Sequence, residues 1–265
     1  MDYYRDRVVW ITGASSGIGA ALAVEMAGRG ARLALSGRNR RELEAVRHQC
    51  QASNAQAEIF PFDVQQASQI TDVAGKVLRH FGHVDLLINN AGISQRSRAV
   101  DTPLQVDRKI MEVNYFGNIA VARAVLPHML RRGYGHIAIT TSITGHFGFP
   151  LRSAYSASKH ALCGFYESLR AEMADQNIHI TFITPGRIRT SISRHALNEE
   201  GKEQGVMDPG QEKGMPADQS ARIIIKGLRR HKREILVGRK EILMVFIHRF
   251  FPGIFYRIVR KISHI

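Results

Sequence analysis

Cysteine is scarce in this chain: its 265 residues hold two, Cys50 and Cys163, far apart and in no Cys-x-x-Cys spacing. A disulfide framework and a thiolate metal site are both excluded by that pattern, and a reducing, intracellular compartment is the simpler reading. None of the twelve histidines falls in a His-Glu-x-x-His array, and no Gly-x-x-x-x-Gly-Lys-Ser/Thr loop occurs, so no metal site and no nucleotide hydrolysis is expected. Proline is limited to eight residues, and repeats and low-complexity tracts are missing, which excludes solenoids and long disordered stretches. No apolar run reaches the roughly 18 residues of a membrane span. Ahead of the first strand, Asp2, Arg5, Asp6 and Arg7 leave no room for the apolar region of a signal peptide, so a cytoplasmic protein is expected.

Acidic residues are also short, 23 against 37 Lys and Arg, a net charge of +14. The last 45 residues hold twelve Lys or Arg against two Glu, so ten of those charges sit in the tail. With no zinc finger, RNP or helix-turn-helix pattern beside it, this surplus does not indicate nucleic-acid binding.

Against these absences stands a regular alternation of short aliphatic runs and amphipathic segments over the first 185 residues, the pattern of an α/β chain with a parallel sheet. Strands are expected at 8–11, 33–36, 58–62, 86–88, 136–140 and 179–183, with a last one at 234–237. The expected fold is a single doubly wound Rossmann domain over residues 1–238, helices on both faces, followed by a basic and hydrophobic tail at 239–265. Residues 187–216, with Gly201, Gly205, Gly210 and Gly214, follow a strand end and read as a long loop forming a substrate lid. A bare surface insertion is the competing reading.

Thr12-Gly13-Ala14-Ser15-Ser16-Gly17-Ile18-Gly19 follows the first strand and opens a helix. Glycine there permits a tight turn and close approach of backbone to a pyrophosphate, and the helix start offers free N–H groups and partial positive charge. The second strand ends Ser36-Gly37-Arg38 with no carboxylate for a ribose 2′-hydroxyl, while Arg38 can pair with a 2′-phosphate, which favours NADP(H) over NAD(H). Asp63 and Val64 close the third strand and Asn89-Asn90-Ala91-Gly92 the fourth, where adenine and ribose would lie.

Tyr155 and Lys159 stand at i and i+4, one face of one helix, where an ammonium can stabilise a phenolate and make the phenol a usable acid or base. Ser142, at the end of the fifth strand, can hydrogen-bond a carbonyl oxygen. Asn114 sits inside a long helix expected from about 107 to 131. It is a poor helix former there, and its carbonyl and side chain can hold a water that relays protons to Lys159; a tolerated polar residue is the plainer alternative.

The glycine motif, Asn89-Asn90-Ala91-Gly92, Asn114, Ser142, Tyr155, Lys159 and Pro185-Gly186, in this order and spacing, resemble the short-chain dehydrogenase/reductase family over about residues 5–240. Thr140-Thr141 before Ser142 departs from the serine common there. The stretches 153–161, 170–173 and 205–208 resemble the branch called family member seven, and the surroundings of Tyr155 are similar to membrane-associated hydroxysteroid dehydrogenases.

That resemblance implies hydride transfer between NADP(H) and a carbonyl or alcohol. Tyr155 would give or take the proton, Lys159 would bind ribose hydroxyls and lower the Tyr155 pKa, and Ser142 would position the carbonyl. It further implies cofactor contacts at Gly13, Ser15, Ser16, Gly17, Ile18, Gly19, Arg38, Asp63, Val64, Asn90, Ala91, Gly92, Tyr155, Lys159, Pro185, Gly186, Ile188 and Thr190, and a homodimer or homotetramer. A regulatory or scaffold protein that binds the nucleotide without turnover is the alternative.

Beside Ser142 come His146, Phe147, Phe149, Pro150 and Leu151, and the 187–216 segment carries Ile188, Ile192, Leu197, Val206, Met207 and Met215. An apolar pocket mouth suited to a hydrophobic, lipid-like substrate is one reading, and closure of the core under the lid is the other. The tail reads as two short apolar helices with basic flanks, placed either at a membrane interface, on the inner membrane face, or against the chain's own body or a subunit.

Overall fold

The computed structural model describes residues 2–262. Strand β1 (Val8–Thr12) is buried at every position and feeds α1 (Gly17–Ala27). Then follow β2 (Arg32–Ser36), α2 (Arg40–Gln51), β3 (Ala57–Ile59), α3 (Ala67–Phe81) and β4 (Leu86–Asn89). The second half runs α4 (Leu104–Met111), a π-helical turn (Glu112–Phe116), α5 (Gly117–Arg132), β5 (Gly135–Thr140), α6 (Ser153–Glu172) and β6 (Ile178–Pro185). After it come β7 (Ile188–Arg189), α7 (Pro209–Glu212), β8 (Met215–Pro216), α8 (Ala217–Leu228) and β9 (Glu234–Val237). The tail forms α9 (Leu243–Phe250) and α10 (Pro252–Ile262), and its residues 263–265 lie outside the described part.

Seven strands pair in parallel in the order β3-β2-β1-β4-β5-β6-β9. The continuous burial of β1, β4 and β5 is what a parallel sheet covered on both faces requires. Alternate residues of β1 point to opposite layers. Val9 and Ile11 pack with Leu22, Leu43 and Ile224 from α1, α2 and α8. Val8 and Trp10 pack with Val77, Val125 and Leu162 from α3, α5 and α6. The order of strands reverses between β1 and β4, and the carboxyl ends there open the crevice in which such sheets hold ligands.

Three expectations change. The third strand stops at Ile59, although beyond it Phe60 N still donates to Leu35 O (2.8 Å) and Phe62 N to Gly37 O (3.1 Å). The long helix around Asn114 is two α-helices joined by a π-helical turn with Asn114 at its centre, a single wide turn of the kind that accommodates a misplaced polar residue. Residues 187–216 are not a plain loop. Ile188 pairs with Met215 and Arg189 with Pro216, and Leu197 docks on the main body, its N–H donating to Ser94 O at 2.9 Å and its carbonyl accepting from Arg96 N at 2.8 Å.

Candidate active site

The crevice is a cavity of about 1240 Å³ running along the carboxyl ends of the strands. At one end lies the glycine turn. Gly13 (φ 63°) and Gly17 (φ 57°) hold the left-handed backbone that glycine adopts freely. A Cβ at Gly13 would stand 2.8 Å from Ala91 Cα, and one at Gly19 would stand 2.1 Å from Gly13 O. Ser16 begins α1 without a side-chain cap, so the first-turn N–H groups face the crevice without an intrahelical partner. This cradle fits a pyrophosphate in size and in sign of charge.

Asn90 fixes the cradle. Its N–H donates to Thr12 Oγ1 (3.1 Å), its Nδ2 donates to Gly13 O (3.1 Å), and its Oδ1 accepts from Thr140 Oγ1 (3.2 Å), which ties β1, β4 and β5 at their ends. Asn89 faces away and donates to Asn118 O (3.0 Å) and Tyr166 OH (3.2 Å), anchoring α5 and α6. Arg38 is exposed on the cavity rim, Gly37 lies against Ser15 with room for only an ordinary contact (3.5 Å), and Asp63 and Val64 line the same end. The Asp63 carboxylate accepts from Gln65 N (3.0 Å).

At the other end, Ser142, Tyr155 and Lys159 line one wall, with Pro185, Gly186, Ile188 and Thr190 opposite. Ser142 caps a 3-10 turn (Ile143–Gly145), its Oγ accepting from Thr144 N at 3.2 Å and from Thr144 Oγ1 at 3.1 Å. Lys159 Nζ donates to Thr140 O (2.8 Å) and stands 5.6 Å from the centroid of the Tyr155 ring. Burial pushes the Lys159 ammonium down to about 8. Burial also raises the Tyr155 phenol above its ordinary value, opposed by the Ser142 hydroxyl and by the charges of Arg96 and Arg152.

Asn114 is fully buried behind this wall and does not line the cavity. Its Oδ1 accepts from Ile93 N (2.8 Å) and its Nδ2 donates to Ile93 O (3.0 Å) and Ser158 Oγ (3.0 Å). The side chain therefore clamps the turn after β4 to α6. Gly92 fits between Asn114 and Lys159, where a Cβ would meet Asn114 Oδ1 at 3.1 Å.

The mouth is less apolar than the sequence suggests. Phe147, Phe149, Pro150, Leu151, Ile188 and Ile192 line it, but Leu197 and Met215 are packed in the core, Val206 is solvent-exposed, and Met207 accepts from Ser193. In their place stands a charged triad. Arg96 (2.6 Å) and Arg152 (3.0 Å) share one oxygen of Asp208. Burial pushes the Asp208 carboxyl up, but the two guanidinium groups hold it below its ordinary value, and burial brings Arg152 down to about 10. Gln95, fully buried, donates to Thr102 Oγ1 (2.9 Å) and accepts from Ala154 N (2.9 Å), setting the start of the helix that carries Tyr155. Arg96 and Arg152 lie 112 and 56 positions from Asp208, and Gln95 lies 59 from Ala154; of these, Asp208 and Ala154 fall in stretches singled out beforehand.

A family model described as short chain dehydrogenase matches residues 7–201. The chain belongs to the short-chain dehydrogenase family. Within it the chain falls in the branch of family member 7: it is 41% identical over 264 residues to dehydrogenase/reductase SDR family member 7B of Bos taurus, covering 97% of this chain and 81% of that protein. The identity to the SDR family protein 7-like of Drosophila melanogaster is 39%, over 96% of this chain and 80% of the relative. Among solved structures, a short-chain dehydrogenase/reductase from Burkholderia phymatum in complex with NAD has the same fold, with TM-score 0.86, 23% identity and 96% of each chain covered. An alcohol dehydrogenase from the archaeon Thermococcus sibiricus, complexed with 5-hydroxy-NADP, aligns with TM-score 0.77 and 26% identity over 89% of this chain and 97% of that one. These two solved structures hold NAD and an NADP analogue, and an oxidoreductase chemistry is what the family supports for this chain.

Proposed function

We propose that the protein interconverts a carbonyl and an alcohol with NADP(H), on a hydrophobic, lipid-like substrate, at a membrane face reached through its tail. The observation that carries the reaction is the placement of Ser142, Tyr155 and Lys159 together in the same cavity that the glycine turn lines. NADP(H), held by Gly13, Ser15, Ser16, Gly17, Ile18 and Gly19 at its pyrophosphate, would supply or accept the hydride. Arg38 is the cation available to a 2′-phosphate, with Asp63, Val64, Asn90, Ala91 and Gly92 along the adenosine and ribose and Pro185, Gly186, Ile188 and Thr190 beside the nicotinamide.

Ser142 holds the substrate oxygen by a hydrogen bond, and Tyr155 gives its phenolic proton to that oxygen in reduction and takes it back in oxidation. Lys159, an ammonium near neutral pH, binds ribose hydroxyls and stabilises the phenolate when it forms. Asn114 is a positioning residue that fixes the turn at Ile93 against α6. Residues 187–216 close the substrate side, and the apolar strip from Phe147 to Leu151 supports a bulky apolar substrate. The shallow groove between Leu104 and Phe116, with both side chains exposed, supports a homodimer or homotetramer through the helices of Asn114 and Tyr155. A regulatory or scaffold role without turnover is the second reading, supported by the same cradle.

The test is a titration of NADPH and NADH by fluorescence, then NADPH oxidation with a panel of lipid-like ketones, on the wild type and Tyr155→Phe. The expected result is tighter NADPH binding, ketone-dependent oxidation, and a variant that keeps the nucleotide and loses turnover by several hundredfold or more. Binding of neither nucleotide would overturn the proposal. Binding without turnover in the wild type would favour the regulatory reading.

A further inference from the structure

We propose that α9 and α10 form a docking surface for an anionic phospholipid bilayer, a reading that deepens the membrane-face placement above. Of the twelve large apolar side chains exposed among the described residues, six fall between 243 and 256. Leu243, Phe246 and Phe250 stand at i, i+3 and i+7, one stripe of α9, and Phe251 and Ile254 carry it across the turn into α10. The tip is the most open part, with Phe250 67% and Phe251 59% exposed. Apolar side chains of this size do not face water as a continuous stripe without a partner.

The charge around the stripe identifies that partner. From 239 to 262 the chain has six Lys or Arg and one acid, Glu241. That acid is turned inward, its Oε1 accepting from Arg187 N (2.9 Å) and Arg239 N (3.1 Å). What remains outside is cationic, with Arg249 and Arg257 exposed beside the stripe. A second copy on the same face would bring these cations against their own copies across a two-fold axis, whereas anionic headgroups neutralise them while the aromatic tip enters the acyl boundary. No helix among the described residues is long and apolar enough to cross the bilayer, so the contact is interfacial.

The docking surface is joined to the catalytic cavity. Phe255, on the inner side of α10, is buried against Phe147 (4.8 Å between ring centroids) and His248 (4.8 Å), and Phe147, Lys240, Glu241 and Met244 line the cavity. A bilayer seated on the outer side of this pair thus lies one helix layer from the cavity wall.

The experiment is sedimentation of the full chain with vesicles of phosphatidylcholine alone or mixed with phosphatidylglycerol, at low and high salt. The expected result is binding to the mixed vesicles that salt weakens and that phosphatidylcholine alone does not match. Phe250→Glu with Phe251→Glu, and separately Arg249→Glu with Arg257→Glu, each lower the partition by about tenfold or more. Lys76→Glu with Arg79→Glu, the same charge change on exposed α3, leaves it unchanged. No sedimentation with either vesicle overturns the proposal. So does an equal loss in the α3 variant, which would mean net charge alone, or a dimer in light scattering that the Phe250 and Phe251 changes split without any vesicle binding. NADPH titration of each variant reports an intact fold independently of vesicles, and a wild-type chain that binds NADPH but sediments with neither vesicle sinks this inference and not the oxidoreductase reading.

Discussion

Burial acts on single residues of this protein in ways their types do not reveal. It raises the Tyr155 phenol and lowers the Lys159 ammonium, two groups four residues apart, so the site favours a neutral phenol beside a cation whose charge is lost above about pH 8. At the opposite end of the sheet it acts on His136. This ring is buried beside His231 and His179, with Arg7 near, and its Nε2 pairs with Thr181 Oγ1 (2.9 Å); burial and the neighbouring cations push it down to about 3. His179 and His231 are also lowered, first by burial. The unfolded chain protonates these rings near 6.5, and folded His136 does not until about 3, so between those values the unfolded state binds more protons and stability falls as pH falls. The slope is about 1.4 kcal/mol per pH unit for each proton so linked. Thermal midpoints taken from pH 7 to pH 5 should therefore drop, and His136→Gln should flatten the decline; an equally steep decline in the variant would remove His136 as its source. Arg38 gives the second prediction at this scale. Arg38→Asp places a carboxylate where a 2′-hydroxyl can be held and a 2′-phosphate is repelled, so the ratio of NADPH to NADH affinity should fall by at least about tenfold, corresponding to roughly 1.4 kcal/mol. An unchanged ratio in the two titrations would mean that another group reads the phosphate.

The glycine turn and α1 act as one element, and their tolerance can be measured. Gly19 is wedged so tightly that a Cβ would meet Gly13 O at 2.1 Å and Asn90 Nδ2 at 2.7 Å, whereas at Gly28, the other end of the helix, the nearest atoms are at 3.8 Å. Gly19→Ala should displace the turn, cost about 1–3 kcal/mol of stability and weaken NADPH binding, while Gly28→Ala should leave both unchanged. Denaturant titration and nucleotide titration of the pair decide this, and equal behaviour of the two variants would show that the turn is not held as described. The turn was legible in the sequence because strand, glycines and helix start are contiguous, and the strands because burial on both faces leaves uninterrupted aliphatic runs. Tyr155 and Lys159 were legible for the same reason, one helix face. Arg96 and Asp208 were not, since the pair spans 112 positions and neither residue belongs to a periodic pattern. The β7 and β8 pairing escaped notice because two-residue strands have no period to read, and the contact of the Asn114 side chain with the backbone at Ile93 leaves no mark on side-chain identity.

At the scale of the whole molecule, the two layers of helices share the sheet as a common core, but the tail is attached differently. Trp10, the one tryptophan, is fully buried in that core and donates to Ser36 Oγ at 2.9 Å, so its emission follows the core. Phe255 is equally buried, yet of its ring partners only Phe147 belongs to the body, while His248 and Tyr256 are in the tail itself. Removing a buried phenylalanine ring costs about 3–5 kcal/mol where the surroundings unfold as one unit. Where a segment is held by few contacts, the same change is met by opening that segment alone. Phe255→Ala should therefore free α9 and α10 from the body and speed tryptic cleavage after Arg239 and Lys240 by about tenfold or more. The Trp10 melting midpoint should change by no more than about a degree or two. If instead the midpoint falls by the amount expected of a core phenylalanine and cleavage is spread over the chain, the tail is part of the cooperative core. Phe147 would then be held by it in every state in which the sheet is folded, and the cavity wall it shares with Met244 would be a fixed one.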